Sequence, residues 1–303
     1  MTAKASMCPR KNRKYRTCPR FSALAAALVV GWNVPAQGFL PPEGQNLTRP
    51  PDFAPAASNP QGEKGLELLS RGQYKDAIPQ LRQAVHLAPD SSKYALGFAE
   101  ALLSAHYKFT ALGFLEEVYP RFHDLAEFRY TLGLANYLCY HYQEAIKDFQ
   151  TIPQNDPKFN RIPFLIGNCY MAMGDLPQAE TFFRRAIELK PDEATYYVSL
   201  GKMLRMEGPE RLDEATKALQ QAWELNPHDA YVGLHLAYCQ EAEGKYQEAQ
   251  TLLEQVVQEQ PELQPAHLAL ASVYEHNHEA EKARQQREIA AHLKPPPTPL
   301  NPR

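Results

Sequence analysis

The sequence predicts an all-α protein built from stacked helical hairpins, and three observations carry that prediction. A small residue recurs at Ala77, Ala111, Ala145, Ala179, Ala215, Ala249 and Ala283, each interval being 34 residues except one of 36. Gly65, Gly133, Gly167 and Gly201 stand ahead of these alanines, and Pro89, Pro157, Pro191, Pro227, Pro261 and Pro295 stand behind them. Between the small residues run apolar positions at helical spacing. In 160–193, Ile166 and Tyr170 lie four apart on one face, and Ala179, Phe183, Ala186 and Ile187 form a second stripe.

Residues 160–193 show why this pattern makes a hairpin. Gly174 and Asp175 separate the two stripes, with Asp175 placed to cap the second helix and Pro177 near its first position, where a missing N–H costs little. Gly167 and Ala179 are small because two antiparallel helices approach closely where they cross. Pro191 ends the second helix. This stretch resembles the tetratricopeptide repeat, whose signature W-x-x-L-G-x-x-Y…A-x-x-x-F…P runs over about 34 residues. Pro163 replaces the Trp, and every other signature position matches in type. The resemblance implies a right-handed α-solenoid of about seven such hairpins.

In register, the repeats fall at 58–91, 92–125, 126–159, 160–193, 194–229, 230–263 and 264–297. The two extra residues of the fifth lie within 208–213 and lengthen its inter-helix turn. No hairpin buries its apolar face alone, so neighbours stack and the end units need polar outer faces. Arg287 replaces the aromatic or Leu of the last second helix, among Glu281, Lys282, Arg284 and Glu288, and reads as a cap. Gly62 and Gly65 predict a short or frayed first helix. The second repeat lacks its closing Pro and has Pro120 early.

Ahead of the repeats, Lys4, Arg10, Lys11, Arg13, Lys14, Arg16 and Arg20 precede the apolar run Phe21–Trp32 and then Val34-Pro35-Ala36. That order is the pattern of an export signal, 1–36, cleaved after Ala36. The run is too short to span a bilayer, which needs about 20 residues. An uncleaved N-terminal anchor or a start at Met7 is the alternative, and no Cys follows the run to serve a lipoprotein anchor. Residues 37–57 read as a Pro-rich disordered linker and 298–303 as a disordered tail. The expected location is the periplasm or the exterior.

A mean hydropathy of −0.49 fits a soluble protein. Removing seven positive charges with the signal takes the net charge from −3 to about −10, which argues against nucleic acid as a partner. Cys139, Cys169 and Cys239 are odd in number without a C-x-x-C pair, which favours buried thiols over a zinc site. A Cys139–Cys169 bridge after export is the alternative. Ser199 and Lys202 form S-x-x-K without the companion motifs of penicillin-binding enzymes, and the repeat register already explains that stretch. His276 and His278 flank a turn without a third ligand. Since no catalytic constellation is present, no enzyme activity, cofactor or metal is expected.

Resemblance to tetratricopeptide repeats implies that the first helices line a concave groove where partner segments bind. The groove positions are Tyr130, Leu134 and Tyr137, then Arg161, Phe164, Asn168 and Met171, then Val198, Lys202 and Arg205, and finally Tyr231, Leu234 and Tyr238. Aromatic and Met anchors among a few cations suit an interface hot spot, although single tyrosines could instead pack against the next repeat. Phe164 and Tyr238 are expected to add little to stacking. One subclass of the family clamps a terminal carboxylate with Lys and Asn. Asn168 matches one clamp position, but Phe164 stands where the Lys belongs, so that clamp is not expected. The expected function is a non-enzymatic scaffold for a protein segment with apolar and acidic residues. The alternative is an assembly subunit of an envelope complex or a self-associating solenoid, with membrane contact only through an uncleaved N-terminus.

Overall fold

Each recurring alanine is the fourth residue of a helix, and a second helix lies antiparallel ahead of it. The computed structural model describes residues 59–153 and 156–293. The expected signal, linker and tail lie outside these residues. Within them α1 (Pro60–Ser70) pairs with α2 (Tyr74–Leu87), α3 (Ser92–Ser104) with α4 (Lys108–Phe122), and α5 (Ala126–Leu138) with α6 (Tyr142–Gln150). Next come α7 (Ile162–Met173) with α8 (Leu176–Leu189) and α9 (Ala194–Glu207) with α10 (Leu212–Leu225). The last pairs are α11 (Ala230–Ala242) with α12 (Tyr246–Glu259) and α13 (Gln264–His276) with α14 (Ala280–His292). No strand occurs among the described residues. The result is an all-α solenoid.

All seven alanines are buried, because the first helix of each hairpin crosses there. Gly167 shows the tightness of the crossing: a Cβ on it would sit 2.7 Å from the Phe183 ring, closer than carbon atoms pack. Asp175 caps α8 by accepting from the Gln178 N–H at 3.2 Å.

The turns inside the hairpins repeat as regularly as the crossings. Gly72, His106, Tyr140, Gly174, Gly244 and His278 all have positive φ, each two residues before its second helix. The next N–H reaches back five residues in every case, for example His141 to the Asn136 carbonyl at 2.9 Å and Asp175 to that of Tyr170 at 3.0 Å. This closure satisfies orphan carbonyls at a helix C-terminus and normally takes Gly. Tyr140 and both histidines hold the same shape with a side chain, at a cost of about 1–2 kcal/mol each.

The lengthened fifth hairpin departs from this turn. Gly208 (φ 132°) opens it and a one-turn 3-10 helix, Pro209–Arg211, follows. Arg211 then reaches Glu207 at 2.8 Å, Glu214 at 3.0 Å and Glu180 of the preceding hairpin at 2.9 Å.

Between the third and fourth hairpins the spacing is looser. α6 has only nine residues, and a 3-10 turn at Pro157–Phe159 carries the buried Phe159 into the junction. At the start, α1 is the shortest of the first helices at 11 residues, yet Asn59 caps it by accepting from the Gln61 and Gly62 N–H groups. At the end, Arg287 is exposed and pairs with Glu275.

First helices of neighbouring hairpins touch directly in most steps of the stack (α1 with α3, α3 with α5, α7 with α9, α9 with α11, α11 with α13), whereas second helices of neighbouring hairpins scarcely meet. The first helices therefore form the inner, more tightly spaced face of the repeat unit. No helix among the described residues is long and apolar enough to cross a membrane.

Candidate functional site

The inner face is built from α5, α7, α9 and α11, and its sequence-predicted residues divide into two groups. Leu134, Tyr137, Phe164, Asn168, Met171 and Leu234 are buried. Tyr130, Arg161, Val198, Lys202, Arg205 and Tyr238 are half-buried, and Tyr231 is exposed.

Phe164 corrects the expectation that it adds little to stacking. Its ring lies 4.8 Å from that of Tyr196, nearly parallel, and 6.0 Å from that of Phe183. It therefore joins the fourth hairpin to the fifth, because Tyr196 on α9 offers a flat partner that a surface position would lack. Tyr137 packs likewise on Tyr142, with ring centroids 5.8 Å apart. Tyr130 lies between Phe149 and Phe159 at 6.0 and 5.5 Å. Leu134, Asn168, Met171 and Leu234 are also too enclosed to meet a partner as the structure stands.

A cationic cluster remains between α9 and α11. The Arg205 guanidinium lies over the Tyr238 ring at 5.6 Å, a favourable arrangement for a cation on an aromatic face. Lys202 sits one turn earlier on α9. Burial, then the charge of Arg205, holds its amine down at about 8. His235, one turn before Tyr238 on α11, joins them. Burial first and the charges of Lys202 and Arg205 next push its imidazole down to about 3, so it is neutral at physiological pH. Its Nδ1 and the Nε of Arg205 are shut off from solvent without a hydrogen-bond partner in the protein. Glu241, the carboxylate beside Tyr238, accepts instead from Ser272 Oγ at 2.6 Å.

His235 was missed by sequence reasoning. Its one signal is its place on a first helix, a turn before Tyr238 and facing the preceding repeat's cations.

These shifts make a testable pH dependence. A base with a lowered folded-state pKa leaves more protons on the unfolded chain between the two values, so stability rises with pH there. For Lys202 the window runs from about 8 to the ordinary 10.5, and for His235 from about 3 to 6.5. Between pH 8 and 10 the parent should gain stability over Lys202→Met, with a slope approaching about 1.4 kcal/mol per pH unit. Urea midpoints of both proteins across that range measure it. Parallel curves would mean that the amine stays in water.

Elsewhere, Cys139, Cys169 and Cys239 are buried and unbridged, Cys139 being the C-cap of α5 and not an interior residue. His276 stacks on Tyr246 at 4.3 Å. No group of three metal-ligating side chains occurs among the described residues.

Paired antiparallel helices stacked around an inner face of aromatic and cationic side chains define a helical-repeat interaction scaffold. Three models described as tetratricopeptide repeat match the chain, one at 63–106 and 209–262, another at 164–193 and a third at 241–286. Together they cover about half of it, and the chain belongs to the tetratricopeptide repeat family. A tetratricopeptide repeat protein from Parabacteroides merdae superposes with a TM-score of 0.60 at 15% identity, over 78% of this chain and 92% of that one. PilF of Pseudomonas aeruginosa gives 0.57 at 18% identity, over 66% and 90%. Likeness at these identities is one of fold. Protein O-mannosyl-transferase TMTC2 of Homo sapiens is 30% identical over 101 residues, 32% of this chain, and the match spans only 12% of that protein.

Proposed function

We propose that this chain is a non-enzymatic scaffold, exported to the cell envelope or beyond, that holds a segment of a partner protein along the inner face of its first helices. One observation supports the reading above others. Tyr130, Arg161, Val198, Lys202, Arg205, Tyr231 and Tyr238 stay at least partly accessible on four successive first helices or at their starts. Rigid aromatic residues beside cations are what interface anchors consist of. Family membership agrees with it in general terms.

Affinity capture from native extract, followed by calorimetry on the recovered partner, tests the groove. Tyr231→Ala and Tyr238→Ala should each weaken binding by about 1–4 kcal/mol, the span for aromatic hot spots, while circular dichroism reports intact helices. N-terminal sequencing of the native protein should begin at Gln37, and an intact Met1 or Met7 on a cytoplasmic protein would remove the export part.

The second reading is an assembly subunit, and one surface favours it. Phe109 is 66% exposed, with Tyr107 and Tyr140 also exposed, and Lys108 lies over the rings of Phe109 and Tyr140 at 5.2 and 4.0 Å. This patch lies at the turns inside the second and third hairpins, away from the α9–α11 cluster. Groove variants that bind like the parent, with Phe109→Ala and Tyr140→Ala variants that do not, would transfer the function there.

A further inference from the structure

Resting on the groove reading, we propose that the α1–α3 section of the inner face takes a Lys or Arg side chain of the bound segment, pairing its charged head with Glu100. Glu100 sits on α3 where Leu134, Asn168, Lys202 and Tyr238 sit on α5, α7, α9 and α11, at intervals of 34, 34, 34 and 36 residues. It therefore belongs to the inner face, on a helix that both α1 and α5 touch. It is half-buried, yet among the described residues it makes no hydrogen bond or ion pair. Burial pushes its carboxyl above the usual carboxylate range, and no neighbouring charge offsets that. Later acids of this face are satisfied: Glu241 accepts from Ser272 Oγ at 2.6 Å, and Glu275 pairs with Arg287. Lys93, on the same helix as Glu100, is committed to Glu63 at 2.8 Å. A carboxylate taken partly out of water without a counter-charge opposes folding, and a cation delivered from outside offsets that cost.

The surroundings of Glu100 decide the class of occupant. Leu96 and Leu103 lie one turn before and after it on the same face of α3, and both are half-buried. Leu66 of α1 reaches α3 at Gly97, where an added Cβ would meet its Cδ2 at 2.6 Å, one turn short of Glu100. An acid ringed by leucines suits a side chain with a long apolar stem and a cationic tip, which is what Lys and Arg offer. A small hydrated cation would leave the leucines uncovered, and no group of three metal-ligating side chains occurs among the described residues. The net charge of −3 also favours approach of a basic residue.

The probe is a library of random twelve-residue peptides, N-acetylated and C-terminally amidated so that only side chains carry charge. Affinity selection on the parent should enrich peptides with a Lys or Arg flanked by apolar residues. Glu100→Gln should lose that enrichment, whereas Glu188→Gln, which alters an exposed acid on α8, should keep it. In calorimetry at low salt the most enriched peptide should bind the parent about tenfold or more tightly than its counterpart with Gln for the basic residue. That ratio should fall as salt rises and vanish in Glu100→Gln, with the Gln peptide's affinity unchanged. The thermal midpoint of Glu100→Gln at neutral pH should equal or exceed that of the parent, since the substitution removes an uncompensated charge.

No enrichment of basic residues, an enrichment that Glu100→Gln retains, or equal affinity for the two peptides would each overturn the proposal. A midpoint lowered by Glu100→Gln would do so too, because it would mean that the carboxylate already has a stabilising partner within the chain. The groove reading fails separately. If the natural partner loses affinity with Tyr231→Ala but ignores Glu100→Gln, the groove stands and the Glu100 site falls. If the basic preference follows Glu100 while Tyr231→Ala and Tyr238→Ala leave the natural partner bound, the site stands and the groove reading falls.

Discussion

Phe183→Ala is expected to remove about 3–5 kcal/mol of stability in urea melts, the range for deleting a fully buried aromatic ring. Phe183 has no exposed surface. Its ring lies against Gly167 across the hairpin, so closely that no Cβ fits there, and 6.0 Å from that of Phe164. The fourth hairpin has neighbours on both sides, so the cavity cannot be filled by solvent or by collapse of a free end. Each repeat is held chiefly by its neighbours, and loss at this point weakens two interfaces. Arg287→Ala is the control. That side chain is exposed and pairs with an equally accessible Glu275, so its removal should cost under about 0.5 kcal/mol. Equal losses from the two variants would mean that the repeat register, with α8 internal and α14 at the end, is wrong.

Phe164→Ala should cost nearly as much, about 3–5 kcal/mol, although the sequence pattern marks it as a groove residue. It is 3% exposed, and its near-parallel contact with Tyr196 at 4.8 Å spans the fourth and fifth hairpins. Such pairs contribute about 0.5–1.5 kcal/mol beyond the area they bury. Tyr231→Ala, at 39% exposure, provides the comparison and should stay within about 0.5 kcal/mol of the parent. The same melts decide the matter: a Phe164→Ala variant as stable as the Tyr231→Ala one would return Phe164 to the partner-binding face.

The contrast between Phe183 and Phe164 shows how far the sequence could be read. Phe183 is determined within its own hairpin by spacing to Gly167 and Ala179, so a single repeat suffices to place it. Phe164 depends on which residue the next hairpin brings opposite, and that is Tyr196, set by the junction at 190–193 and not by helical periodicity. The turns show a similar division. Gly72, Gly174 and Gly244 announce a left-handed residue, whereas His106, Tyr140 and His278 adopt the same backbone because the stack imposes it. The 3-10 turn carrying Phe159 and the short α6 were illegible for a related reason, since the second helix stops before its apolar period gives out. Lys202 and Arg205 were visible as cations on one helix face. His235 became significant only when α9 and α11 were brought side by side.

The salt-bridge knot at Arg211 bears on how the repeat stack bends. A row of hairpins behaves as a short elastic rod whose flexing collects at its softest joint. Arg211 ties the fifth hairpin to Glu180 on the fourth, and Arg184 adds a second strap to Glu214 at 2.9 Å. Across the joint between the third and fourth hairpins α5 and α7 scarcely touch. Strain from a long ligand drawn along the inner face would therefore be taken up between α5 and α7, leaving the α9–α11 section undeformed. High salt, by loosening exposed straps, would spread the same compliance toward the fifth hairpin.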